Sequence, residues 1–213
     1  MNTSTKRWMG WGIAAMLVTA AACSDGTVGP AGDVSASDLE FLADESDQVL
    51  DGILGAEMDA QDRASGTLIP APGVMLSVTP VTRSFEFSRS RTCHNGGTVS
   101  VSGSGQIVVD RGARTVEMDV AGEKLIEDCA RQRSGIVFTM SGRGSFTSHR
   151  KKVQGQLVEG NRHAEGSFRL TTNAGRTKEC SFNLDAVFDP DTNSWHLTGE
   201  FCGRRIDRTR TRG

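Results

Sequence analysis

The chain has 213 residues, enough for one ordinary domain with targeting and linking segments. Its net charge of -2 hides a segregation: residues 24–62 carry eleven acids and no Lys or Arg, whereas residues 63–213 carry 22 basic and 15 acidic side chains. Aromatics make up 6% and Tyr is absent, which excludes a base-stacking platform, so no nucleic-acid partner is expected, while the basic C-terminal part favours anionic partners through its field.

At the N-terminus, Lys6 and Arg7 precede an apolar stretch over residues 8–18, shorter than the about 20 residues a membrane-spanning helix needs. Three small residues, Ala20, Ala21 and Ala22, then lead to Cys23, and Ser24 follows. This run resembles the signal of bacterial lipoproteins, with Ala20 where that family prefers Leu. The resemblance implies a signal peptide over residues 1–22, lipidation of Cys23, and a membrane partner reached through the N-terminal lipid. It also implies export to the cell envelope, at the outer membrane in a double-membrane bacterium, because Ser rather than Asp follows the cysteine. Acyl chains add about 0.8 kcal/mol per buried CH2, so several on one cysteine hold firmly.

Residues 23–82 read as an acidic tether. Residues 24–36 are rich in Gly, Ser, Ala and Asp, with too little apolar surface to offset the entropy of ordering. Ser37 and Glu40 match a capping box, and Leu39, Leu42, Ala43, Val49, Leu50 and Ile53 recur at helical spacing, which predicts one amphipathic helix over about 38–54. Residues 66–80 contain Pro70, Pro72 and Pro80 and read as an extended connector.

Over residues 83–203 the period changes to two. Eight strands are predicted, over residues 83–92, 97–109, 114–128, 134–147, 152–159, 163–172, 177–188 and 195–203. The seven connections are short and rich in turn formers, among them Asn95-Gly96-Gly97, His149-Arg150-Lys151 and Gly160-Asn161-Arg162. Short connections permit only antiparallel neighbours. The expected fold is therefore an all-β, eight-stranded antiparallel up-and-down meander, closed into a small barrel; a curved open sheet or a β-sandwich is the alternative.

Five cysteines are odd for an exported protein, and lipidation of Cys23 leaves an even four. In a meander, Cys93 and Cys129 lie at one end, Cys180 and Cys202 at the other. The two ends are a strand length apart, beyond the about 7 Å between Cα atoms that a disulfide tolerates, so the pairing is Cys93 with Cys129 and Cys180 with Cys202. The apolar faces pair Ile107 with Val116 and Phe182 with Phe201, which leaves each cysteine pair one residue out of step. A β-bulge beside each bridge is expected, at Gly97, Gly103 or Gly122 and at Gly203.

Candidate chemistry is thin. Asp189, Asp191, Asn193, Trp195 and Glu200 occupy positions 1, 3, 5, 7 and 12 of a calcium loop, but Ser194 stands where Gly is required and Asp-Pro-Asp-Thr-Asn also suits a hairpin turn. His94, His163 and His196 fall at one end of the meander and could hold zinc if they converged. No nucleophile elbow or phosphate loop is present, so no catalytic residue and no cofactor are assigned. Residues 204–213 form a tail in which Arg204, Arg205, Arg208, Arg210 and Arg212 could grip phosphate or carboxylate of an anionic envelope component. The expectation is a lipid-anchored envelope protein acting as a ligand-binding or structural module, its barrel offering space for a small apolar ligand; an enzyme with a turn-built site is the alternative.

Overall fold

The computed structural model describes residues 34–66, 79–133 and 135–211. The signal segment and Cys23, with most of the spacer and connector and Arg212, lie outside the described residues. One helix, α1 (Ala36–Gly66), precedes eight strands: β1 (Val81–Thr92), β2 (Thr98–Asp110), β3 (Thr115–Arg133), β4 (Ile136–Val153), β5 (Gln156–Thr172), β6 (Thr177–Asp189), β7 (Ser194–Phe201) and β8 (Arg204–Thr211). They form a single antiparallel sheet in the order of the chain, as the short connections require.

The sheet does not close. β1 pairs with β2 and β8 with β7, and both remain edges. Instead of a barrel, the sheet curls around α1, which packs against β1, β2, β3, β7 and β8. A helix with its side chains is about 10–12 Å across, so it occupies the interior that a closed sheet would have filled with its own residues. Leu39, Leu42, Ala43, Val49, Leu50, Ile53, Leu54 and Met58 of α1 join inward residues of the strands in one core. The helix within the segment expected to be an acidic tether is therefore part of the core.

α1 begins two residues earlier than expected and runs three turns further. Its cap is Ser35 with Asp38, not Ser37 with Glu40: the Asp38 N–H donates to Ser35 Oγ at 3.2 Å and the Ser35 N–H to Asp38 Oδ2 at 3.1 Å, the reciprocal pattern of a capping box. The extension past Leu54 follows from Met58 and Glu57, both buried.

The number of strands agrees with expectation, but two of them differ. The segments expected at 152–159 and 163–172 are one strand, β5, and the turns expected at His149-Arg150-Lys151 and Gly160-Asn161-Arg162 lie inside β4 and β5. The chain reverses at Gln154 and Gly155, which both take positive φ, 52° and 83°. Arg150 and Arg162 mimic turn chemistry in sequence, yet their side chains point inward to acids of α1. The eighth strand is the arginine tail. Cys202 and Gly203, with φ of 56° and 75°, make a two-residue turn of the kind that joins tight hairpins, and Arg204 pairs with Phe201.

The bridges are Cys93–Cys129 and Cys180–Cys202, with Cα atoms 5.5 and 4.4 Å apart. β6 and β7 pair Phe182 with Phe201 as expected, whereas β2 and β3 pair Ile107 with Met118 rather than Val116. The irregularity beside the first bridge lies in the β3–β4 pairing, between Ile126 and Cys129, whereas the β2–β3 ladder runs without a shift through Gly103 and Gly122, where a bulge was expected. Near the middle of the sheet, a Cβ on Gly166 would lie 2.5 Å from Gly144 Cα, and one on Gly144 would lie 2.3 Å from Glu165 O. Glycine at both positions lets β4 and β5 coil tightly enough to wrap the helix.

Candidate functional site

The sheet has two faces with different chemistry. On the inner face, seven of the nine acids on α1 meet cations from the strands. Arg162 donates to Asp47 through Nε at 2.9 Å and through Nη2 at 2.6 and 2.7 Å, and lies 3.3 Å from Asp51. Arg150 reaches Asp51 at 2.8 Å, and Arg131 reaches Glu45 at 3.1 Å. Arg89 pairs with Glu57, Arg133 with Asp38, and Lys152 with Asp59. Trp195 packs beneath, its ring 4.6 Å from the Arg162 guanidinium. The opposite charges that the sequence segregates are thus partners within one molecule.

The arginine tail takes part in the same network, which revises its reading as a free anion-binding tail. Arg210 lies 3.5 Å from each of Asp44, Asp47 and Asp51. Arg208 is half-buried on the same strand, and Arg204 and Arg205 are exposed near the Cys202-Gly203 turn. Burial alone would raise the Asp51 carboxyl, but Arg150, Arg162 and Arg210 together hold it below its ordinary value.

Lys124 is enclosed at the same seam, its ammonium donating to the Ser46 backbone carbonyl at 3.1 Å and to the Ser46 hydroxyl. Burial pushes its pKa down to about 8, against the attraction of Asp47 and with help from the repulsion of Arg162. An unfolded lysine titrates near 10.5. Between these values the unfolded chain binds a proton that the folded chain does not, so stability rises with pH through that window, by up to about 3 kcal/mol. Urea unfolding of wild type and Lys124→Met near pH 7 and near pH 10 (about three units apart, from below the folded value to near the unfolded one) should show wild type gaining on the variant as pH rises. A gap that does not move with pH would contradict this.

Among the described residues, the void at the helix–sheet seam beside Lys124, Val49 and Met140 is about 10 Å³, the space of one water at most. α1 occupies the inner face of the sheet, where space for an apolar ligand was expected.

The outer face carries three of the four histidines, each on a strand and each hydrogen-bonded to an aspartate of an adjacent strand. His149 Nδ1 lies 2.8 Å from Asp119, His163 Nδ1 lies 2.9 Å from Asp185, and His196 Nε2 lies 2.8 Å from Asp207. The His196 bond lowers the Asp207 pKa. His94 sits in the exposed turn between β1 and β2. His94, His163 and His196 therefore have separate surroundings and do not form the zinc trio the sequence allowed. Asp189 accepts from the Asp191 N–H at 2.9 Å and from the Thr192 hydroxyl at 2.8 Å, bonds that lower its pKa. Those bonds tie a hairpin turn, with Asn193 at φ 49°, while Glu200 lies seven residues along β7, exposed and opposite Asn183. The calcium reading of Asp189, Asp191, Asn193 and Glu200 gives way to the turn.

Sequence reading missed His149, Glu117 and Asp119. With β4 continued through His149, the alternation places all three on one outer face, Asp119 opposite His149 and Glu117 opposite Lys151. Beside them, the coil of β2 and β3 hollows the outer face into an open trough of about 970 Å³, crossing β1 to β5 and lined by Ser84, Glu86, Ser104, Gln106, Thr147 and Asn161, with Asp119 and His149 on its wall. Such a trough, polar and rich in hydroxyl and amide groups, can accept several hydrogen bonds from one ligand. Among protein families, curated proteins and solved structures, none matches the chain.

Proposed function

We propose that this protein is a lipid-anchored binding module of the bacterial cell envelope, tethered through Cys23 and receiving a polar, hydroxyl-rich ligand of saccharide type on the outer face of its sheet. The observation that carries the reading is the trough, because α1 fills the inner face and leaves the outer one to meet a partner. Ser, Thr, Gln and Asn side chains supply paired donors and acceptors, and the carboxylates of Glu86 and Asp119 can accept from sugar hydroxyls. The two disulfides accord with an oxidising, exported environment. No helix among the described residues is long and apolar enough to cross a membrane; the attachment in this reading is through lipid on Cys23.

The test is calorimetric titration of the full chain in detergent with a soluble oligomer of N-acetylglucosamine. Binding is expected, and Thr147→Trp, an exposed position on the trough wall, should abolish it while leaving the fold intact. In the same cells, Cys23→Ser should move the chain out of the membrane fraction. Absence of binding, or binding indifferent to Thr147→Trp, would refute the ligand assignment.

A further inference from the structure

We infer that Glu117, Asp119 and His149 form a binding site for a first-row divalent cation, with zinc as its natural probe. Each side chain offers one donor atom, and the three atoms lie within 4.8 Å of one another. Donors bound tetrahedrally to zinc at about 2.0–2.2 Å stand roughly 3.4 Å apart. Closing the set therefore takes about an ångström of side-chain movement, at positions that are partly to fully exposed.

The backbone pre-arranges the donors. Glu117 and Asp119 are two residues apart on β3, hence on one face, and Asp119 faces His149 directly on β4. One imidazole nitrogen and two carboxylate oxygens suit a borderline cation better than calcium, which takes six or more oxygens. The fourth position opens toward the trough that Asp119 and His149 help to line.

The surroundings of the imidazole supply a second observation. His149 Nδ1 faces Asp119 at 2.8 Å, and Nε2 faces Glu159 Oε1 at 3.7 Å. When Nδ1 takes the cation, Nε2–H is left pointing at a carboxylate on β5, the arrangement that orients metal-bound histidines and fixes their tautomer. The other outer-face histidines differ. His163 also has carboxylates at both nitrogens, Asp185 at 2.9 Å and Glu165 at 3.9 Å, and His196 has Asp207, but among the described residues only the His149 set converges. Lys151, whose Nζ lies 3.6 Å from Glu117, holds the place the cation would take and is displaced on binding.

Isothermal titration of the tag-free full chain in detergent with zinc chloride is expected to give one saturable site. His149→Ala and Asp119→Asn should each weaken it at least about tenfold, Lys151→Ala should tighten it by removing the competing ammonium, and His163→Ala should leave it unchanged. Under substoichiometric copper(II), the His149 ring resonances should broaden before those of His163 and His196. Zinc binding is read here whether or not a saccharide binds, so failure of one assignment does not imply failure of the other. A wild-type chain without saturable binding, or a His149→Ala chain that binds zinc as well as wild type, overturns the inference.

Discussion

A chain lacking residues 36–66 is expected not to fold. α1 buries Leu39, Leu42, Val49, Leu50, Ile53, Leu54 and Met58, and at about 1.5–3 kcal/mol for each fully buried large apolar side chain the loss is roughly 10–20 kcal/mol. The whole stability of a domain is about 5–15 kcal/mol, so the deficit exceeds what the sheet has to spare. Deletion would also bare the apolar inner face of β2, β3, β7 and β8, leave Lys124 without Ser46, and leave Arg150 and Arg162 without their acids. The deleted chain should show a collapsed amide spectrum with strong binding of a hydrophobic dye, and a peptide of residues 34–66 supplied in trans should restore dispersion. Cooperative unfolding of the deleted chain would refute the view that the helix belongs to the core.

Asp47→Ala carries the largest expected effect of a single substitution at the helix–sheet seam. Its carboxylate accepts three hydrogen bonds from Arg162, whose side chain is 1% exposed, and faces Arg210 as well. Removing one partner of a buried pair costs about 3–5 kcal/mol, because the remaining charge is left without compensation. Here the cost should fall high in that range, since Lys124, Arg150, Arg162 and Arg210 converge where only Asp44 and Asp51 would remain. Pairing Asp47→Leu with Arg162→Met should recover most of the loss, as burying apolar groups in place of a pair often does. By contrast, Asp59→Ala breaks the contact with Lys152 where the carboxylate is half exposed, and should change stability by less than about 1 kcal/mol. Urea midpoints of the four chains decide it; equal effects of Asp47→Ala and Asp59→Ala would show that burial is not what gives the seam its strength.

These two expectations concern contacts for which the sequence offers no local sign. Asp47 and Arg162 stand 115 residues apart, and neither position departs from what an exposed helix face or a turn would contain. The outer face shows the same limit on a smaller scale. Reading His149-Arg150-Lys151 as a turn hid the fact that Glu117, Asp119 and His149 share a face, and the register of β2 with β3 differs by two residues from the one the apolar faces suggest.

What the amino-acid sequence determined by itself was local or nearly so. Alternation with short, turn-rich connections dictated an antiparallel meander, helical spacing dictated one helix ahead of it, and an even set of four cysteines at two ends of a meander dictated Cys93–Cys129 and Cys180–Cys202. The tertiary structure decided that the sheet stays open, that α1 sits inside it, and that the acidic stretch and the arginine strand are partners rather than a tether and a tail. The physical reason is that periodicity reports which side of an element is apolar, whereas a charged side chain is compatible with water or with a buried partner. Which of the two it meets depends on what the rest of the chain brings to it, and that is settled only when the sheet curls around the helix.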